Sequence, residues 1–244
     1  MSFNQANEQF NDAFETYFPN LNPVTKWPYQ ATTLALSQGN KLRARLFGGQ
    51  LQVNERIVEY PQVLRWIRPE GRVLDIGCVS SRLPIQLASL GYDVHGLDTR
   101  AYTFTHPNFV FHQTDLFKWS PPQPFDIILL ISVIEHFGLG GYGDLVLPNA
   151  DREAVGKISQ WLAPGGQLLV SLPFGQAGIT TKHRIYDSTR LAMLFADFTW
   201  VDQRYFRRMD GAWLPSSAAE LSSVASPDLP PNGVAILHLS KKQA

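Results

Sequence analysis

The sequence predicts an α/β fold, a doubly wound and mostly parallel sheet with helices on its faces, and three observations carry that prediction. From residue 72 onward short apolar runs recur as strands, at Val73 to Ile76, Tyr92 to Leu97, Phe109 to His112 and Phe125 to Ile131, with helical spacing from Leu83 to Leu90 after the first. Gly77 stands at the carboxyl end of the first run, where it permits a tight turn into the helix. Asp98 closes the second strand about 20 residues beyond that turn, where a carboxylate accepts hydrogen bonds from both hydroxyls of a ribose. Together they place a nucleoside across the carboxyl edge of the sheet and favour a cofactor-using enzyme.

The remaining elements follow in order. Residues 1–55 form an expected N-terminal helical extension packed on the core, ahead of a main domain at 56–244, because Phe3, Phe10, Phe14 and Phe18 recur at helical intervals. Burial of that aromatic face on the domain is its plainest role; covering a substrate pocket or forming a homodimer contact are the others. Asn54 to Ile67 reads as a helix that Pro61 either kinks or restarts. A helix from Asp151 to Leu162 carries Val155, Ile158 and Leu162 on one face and stops at Ala163-Pro-Gly-Gly166. Leu168 to Leu172 is a buried strand, Ser188 to Phe195 a helix, Thr199 to Phe206 a strand and Val234 to Leu239 a final strand. Arg207 to Gly233, heavy in Ser, Ala and Pro, reads as a long excursion between the last two strands.

Composition narrows the function classes. The 244 residues suffice for one large α/β domain that buries roughly three quarters of its unfolded surface. Lys plus Arg equal Asp plus Glu at 21 each, and charged residues make up 17%, so no global field draws in nucleic acid. Cys78 is the single cysteine, and Met1-Ser-Phe-Asn-Gln lacks a basic region followed by an apolar run, which fits a cytoplasmic protein. The longest apolar stretch, Ile127 to Val133, is interrupted by Ser132 and falls far short of the about 20 residues that span a bilayer.

A dinucleotide site asks for Gly-x-Gly-x-x-Gly, since backbone amides must approach a pyrophosphate closely. Here Gly77 is followed by Val79 and Arg82 at the next two glycine positions, and their side chains would crowd a pyrophosphate. S-adenosylmethionine carries no phosphate, so the cofactor choice tips towards it and away from a nicotinamide-dependent oxidoreductase. The order Val73-Leu-Asp-Ile-Gly-Cys78, Gly96-Leu-Asp98, Thr114-Asp-Leu116, Phe125-Asp-Ile-Ile128, Ser132-Val-Ile-Glu-His136 and Leu162-Ala-Pro-Gly-Gly166 resembles the class I S-adenosylmethionine-dependent methyltransferases. The resemblance spans about residues 55 to 175 and implies a Rossmann-like, seven-stranded sheet with its last strand antiparallel. The stretches Asn54 to Pro61, Phe137 to Asp144 and His183 to Tyr186 are similar to a poorly characterised subgroup, some of whose members are associated with cell-surface polysaccharide biosynthesis.

Position by position, the resemblance implies that Gly77 and Cys78 turn beneath the methionine part of the cofactor while Asp75 helps to hold its ammonium. Asp98 takes the ribose, Thr99 lies next to the adenosine, Asp115 accepts from the adenine amino group and the Leu116 amide meets a ring nitrogen. Ser132 offers its carbonyl to the ammonium, and Tyr60 closes over the cofactor. Plain alternatives stand beside these roles: Asp75 as a helix cap, Asp98 as the start of a turn, Asp115 as an ordinary loop carboxylate and Tyr60 as a packing aromatic.

Methyl transfer to a hydroxyl or amine needs an acceptor atom held in line with the sulfonium, about 3 Å from the methyl carbon, and a base near neutrality for its proton. His136, after the fourth strand, is the expected catalytic base; Glu135 orients it, takes the proton or lines the pocket, and His183 approaches from the opposite rim. A structural histidine at 136 and an exposed loop residue at 183 are the alternatives. No His-Glu-x-x-His spacing supports a metal. The glycines at 138, 140, 141 and 143 suggest a mobile loop over the substrate, and Arg184, Arg190, Arg204, Arg207 and Arg208 are candidates for an acceptor anion. The expected activity is methylation of a small-molecule or sugar-type acceptor, at oxygen by preference. A noncatalytic binding or partner subunit of the same fold is the first rival.

Overall fold

The structure is a computed structural model, and it describes residues 54–140, 146–180, 183–223 and 232–242. The expected N-terminal extension over 1–55 lies outside the described residues except for its last two. Strand β1 (Arg72–Ile76) pairs in parallel with β2 (Asp93–Asp98) on one side and β4 (Phe125–Ile131) on the other. β3 (Phe109–Gln113) extends the sheet beyond β2, and β5 (Leu162–Pro173) beyond β4, both in parallel. These central strands are continuous apolar runs because both faces are covered. Leu74, Ile128, Leu130, Leu168 and Val170 point to one face, while Val73, Ile127, Leu129 and Leu169 point to the other, as a period of two requires.

Helices fill both faces. α1 (Arg56–Trp66) and α2 (Leu83–Ser89) bring Val63, Leu83, Leu87 and Ala88 to the second set. α3 (Ala150–Trp161) brings Ala154, Val155, Ile158 and Trp161 to the first. Pro61 sits inside α1 without ending it, and the carbonyl that loses its helical partner belongs to Ile57, whose side chain is exposed.

The far side of the sheet departs from the expected seven strands. Beyond α4 (Ser188–Leu194), β8 (Phe198–Met209) runs longer than the expected Thr199 to Phe206 and turns through Asp210 and Gly211 into β9 (Ala212–Ser216). Both turn residues have positive φ, +51° and +80°, which matches the two-residue hairpin turn that Asp-Gly favours. β9 and the short α5 (Ala218–Ser223) thus occupy part of the supposed excursion. β10 (Gly233–Lys241) inserts between β5 and β8, antiparallel to both, as expected for the last strand. Among the described residues the main sheet has eight strands in the order β3-β2-β1-β4-β5-β10-β8-β9, and β6 (Gly178–Ile179) with β7 (Arg184–Ile185) forms a separate ribbon. No described helix is long and apolar enough to cross a membrane.

Candidate active site

The carboxyl ends of β1, β2 and β4 and the first turns of α1 carry Tyr60, Asp75, Gly77, Cys78, Asp98, Thr99, Ser132, Glu135 and His136, while Asp115 and Leu116 follow β3 and His183 precedes β7. Gly77 has φ +73°, and a Cβ on it would lie 2.1 Å from Val133 Cγ2, so the turn after β1 requires glycine. Its N–H donates to the Leu97 carbonyl at 2.7 Å, tying the β1 turn to β2. The loop beyond it, which lacks the usual glycines, is fixed by side chains instead. The Val79 N–H donates to Asp98 Oδ2 at 3.0 Å. The Tyr60 hydroxyl bonds Ser81 Oγ at 2.8 Å, and the Tyr102 hydroxyl donates to the Ser81 carbonyl at 2.9 Å. Cys78 is buried in the 3-10 turn Cys78–Ser80, and burial pushes its thiol up, which leaves it neutral and unsuited to nucleophilic work.

Asp98 is buried at the tip of β2 and both of its oxygens are engaged. Oδ1 accepts from the Arg100 N–H at 3.0 Å and from Arg100 Nε at 3.2 Å; Oδ2 accepts from Val79 and from Arg100 Nη2 at 3.2 Å. The turn reading of Asp98 is therefore realised in the same residue that the ribose reading needs. Thr99 is exposed beside it, and its carbonyl accepts from Gln113 Nε2 at 3.3 Å. Asp115 is half-buried and caps the turn Leu116–Lys118, with Oδ1 accepting from the Phe117 N–H at 2.9 Å, while the Leu116 side chain is buried beneath it.

The centre of the site is a cluster of buried acids. Glu59 on α1, Asp75 on β1 and Glu135 in the 3-10 turn after β4 are all within the core. Glu59 is satisfied: Oε2 pairs with Arg56 and Oε1 accepts from the Ser132 hydroxyl at 2.6 Å. Asp75 Oδ2 and Glu135 Oε2 are buried with no hydrogen-bond partner among the described residues. Burial pushes the Asp75 carboxyl up to about 7, with Asp98 adding to the shift and Arg56 opposing it. Burial likewise pushes Glu135 up to about 8, opposed by its own backbone N–H and reinforced by Glu59. Each orphaned oxygen is costly without a donor, and each is an obvious receiver for a cationic or N–H-bearing ligand group.

Ser132 holds the turn between β4 and these groups. Its φ of +49° is the left-handed conformation that a non-glycine residue adopts at a cost of roughly 1–3 kcal/mol. Its N–H is fixed by the Ser171 carbonyl and hydroxyl, each at 3.0 Å. Four residues on, His136 is half-buried with Nε2 3.8 Å from Glu135 Oε1, and its ring meets His183 edge-on at 6.0 Å between centroids. The fold thus brings Glu135, His136 and His183 together from two chain segments. Sequence reasoning missed Arg56, Glu59, Tyr102 and Arg100. The i,i+3 spacing of Arg56 and Glu59 was readable as a helix-surface ion pair, but nothing local said that the pair would be turned inward.

The arginine expectation is corrected at Arg184 and Arg190. Arg184 is buried and donates to the carbonyls of Phe137 and, at 3.3 Å, Pro148, with Nε 3.7 Å from Asp151. Arg190 Nη1 donates to the Gly178 and Ile185 carbonyls, and Arg204 pairs with Asp202 at 3.0 Å. The guanidiniums of Arg184 and Arg190 fasten the chain. Arg184 pins both ends of the glycine-rich loop, which the Leu139–Val146 bridge also closes; residues 141–145 between them, with Gly141 and Gly143, lie outside the described residues. Among the described residues no group of three or more His, Cys, Asp or Glu side chains is placed to hold a metal ion.

Comparison with known proteins bears on the fold. An S-adenosylmethionine-dependent methyltransferase of Methanosarcina mazei superposes with a TM-score of 0.53 at 15% identity, over 76% of this chain and 99% of that one. The 1,6-didemethyltoxoflavin-N1-methyltransferase of Burkholderia thailandensis, solved with its substrate and S-adenosylhomocysteine, superposes with a TM-score of 0.55 at 16% identity, over 91% of this chain and 92% of that one. The fold is shared with these two methyltransferases. In sequence, the ubiquinone biosynthesis O-methyltransferase of Bradyrhizobium sp. (strain ORS 278) is 26% identical over 167 residues, 64% of this chain. The match covers 53% of that relative, so the chain spans about half the length of the methyltransferase it resembles in sequence. The profile of a family described as Caenorhabditis protein of unknown function, DUF268, matches residues 112–218, from the end of β3 to the start of α5 in the methyltransferase fold.

Proposed function

We propose that this protein is an S-adenosylmethionine-dependent methyltransferase that methylates a small-molecule or sugar-type hydroxyl. One observation carries the reading: two buried carboxylate oxygens, on Asp75 and Glu135, without donors among the described residues, lie at the same sheet edge as Asp98. Bound there, S-adenosylmethionine supplies an electrophilic methyl on a sulfonium. Asp75, with the Ser132 carbonyl, receives the ammonium of its amino-acid part above the Gly77–Cys78 turn. Asp98 takes the ribose diol, which requires the Arg100 side chain to swing off the carboxylate. Thr99, Asp115 and the Leu116 amide border the adenine, and Tyr60, held by Ser81, covers the loop from above.

His136 serves as the base for the acceptor hydroxyl, with Glu135 beside it and His183 across the pocket orienting the ring or the acceptor. Raised to about 8, Glu135 is largely protonated at neutral pH in the absence of a ligand, so the imidazole is the better proton acceptor there. The Arg100 guanidinium on Asp98 favours a second reading, a noncatalytic module of the same fold, because it already fills the position a ribose would take.

Calorimetric titration with S-adenosylmethionine, S-adenosylhomocysteine, NADH and NADPH tests the reading, with binding of the adenosyl-sulfur pair alone as the expected result. Binding of NADH or NADPH instead would overturn it. Once an acceptor is identified, His136→Ala is expected to lower kcat by 100-fold or more with the cofactor Kd unchanged, the usual contribution of a positioned general base being about 10² to 10⁴. Undiminished turnover would remove His136 from that role.

A further inference from the structure

We infer that Glu59 is a positioning residue, whose carboxylate holds the strained Ser132 turn in the shape that presents Glu135 and His136 to the site. The inference rests on the methyltransferase reading for its consequence, but the tether itself is independent of any ligand. Glu59 is fully buried on α1, 73 residues before Ser132, and its Oε1 accepts from Ser132 Oγ at 2.6 Å. A carboxyl oxygen accepting at that distance makes a short, well-formed hydrogen bond. Ser132 sits at φ +49°, where a residue with a Cβ is held only if its surroundings insist. Its amide is fixed from β5 by Ser171, and its side chain is fixed from α1 by Glu59, so the turn is gripped from both sides. Two residues further on begins the 3-10 turn Ile134–His136, which carries both candidate proton-handling groups.

Arg56 completes the device. It pairs with the other oxygen of Glu59 and lies over the Tyr60 ring at 5.9 Å, so both oxygens of the buried carboxylate are held, one by Arg56 and one by Ser132. Helix α1 therefore contributes Tyr60 to the loop after β1 and Glu59 to the turn after β4. One helical turn fastens two separate loops of the same site. A carboxylate needed only to cap or solubilise α1 would sit at the surface rather than at zero exposure.

The test combines hydrogen exchange with ligand affinity on the full chain. In Glu59→Ala, amides of residues 132–137 are expected to exchange at least tenfold faster, with β8 and β10 unchanged, and S-adenosylhomocysteine to bind at least tenfold more weakly by calorimetry. Glu59→Gln retains an oxygen that accepts from Ser132, and its affinity is expected within about threefold of the parent. Adding Ser132→Gly to Glu59→Ala removes the Cβ that makes φ +49° costly and is expected to recover most of the affinity; a Glu59 that merely supported the fold would not be rescued in this way. Unchanged exchange at 132–137 in Glu59→Ala overturns the inference, as does faster exchange with undiminished affinity. If the parent protein binds no S-adenosylhomocysteine, the cofactor reading fails, while the exchange measurement still decides whether Glu59 holds the turn.

Discussion

At the scale of single residues, the site is defined by which buried polar atoms have partners. Among the described residues Glu59 has two, Asp98 has four donors, and Asp75 and Glu135 each keep one oxygen without any. Arg100 is the residue whose removal separates the two readings of Asp98. Its guanidinium is nearly half exposed, so its pair with Asp98 is worth no more than about 1 kcal/mol. Arg100→Ala is expected to tighten S-adenosylhomocysteine binding by about two- to fivefold, since the ligand no longer has to displace it. Weaker binding would mean that Arg100 contacts the ligand instead of competing with it. Asp75 and Asp98 could be picked out in the sequence because strand ends are local features; Glu59 could not, because its burial depends on how α1 is set against the sheet.

At the scale of elements, positions of strands and helices were legible wherever an apolar run was bounded by a turn residue. β4 was expected and found at Phe125–Ile131, and the helix expected from Asp151 to Leu162 runs Ala150–Trp161. The far hairpin was missed although Asp210-Gly211 is a strong hairpin signal, because β9 is partly exposed and carries no apolar alternation of its own. The β6–β7 ribbon was missed because two-residue strands leave no periodic trace. Its Arg184 joins that ribbon to the base of the glycine-rich loop through carbonyl oxygens. Arg184→Met is expected to lower stability by about 3 kcal/mol in urea unfolding, because it removes the buried guanidinium that holds Asp151 and the part-buried carbonyls of Phe137 and Pro148. A change under 1 kcal/mol would show that the loop base is held by the Leu139–Val146 bridge alone.

At the scale of the whole molecule, the raised acids make stability depend on pH in an unusual direction. Asp75 at about 7 and Glu135 at about 8 hold protons in the folded state that the unfolded chain, with ordinary carboxyl values of 3.8 and 4.5, has already released. Their contribution is intact below about pH 4 and is lost as pH rises towards about 8. The ligand-free protein is therefore expected to melt at a lower temperature at pH 8 than at pH 6, and the double variant Asp75→Asn, Glu135→Gln to flatten that slope. A parent protein whose melting temperature rises over the same interval would contradict the burial of both groups.

Local composition determined the α/β class, the parallel core strands and the glycine turn at Gly77, because strand periodicity, helix spacing and backbone permissiveness are properties of a few consecutive residues. The expectation of seven strands failed at β9, and the five arginines offered as an anion site lost Arg184 and Arg190 to backbone carbonyls. The tertiary structure alone decided that Glu59 reaches Ser132, that His183 meets His136, and that Asp75 and Glu135 each keep one oxygen with no donor among the described residues. Those facts depend on contacts between residues tens of positions apart, and burial, which sets both the hydrogen bonds and the proton affinities, exists only once the layers have closed over one another.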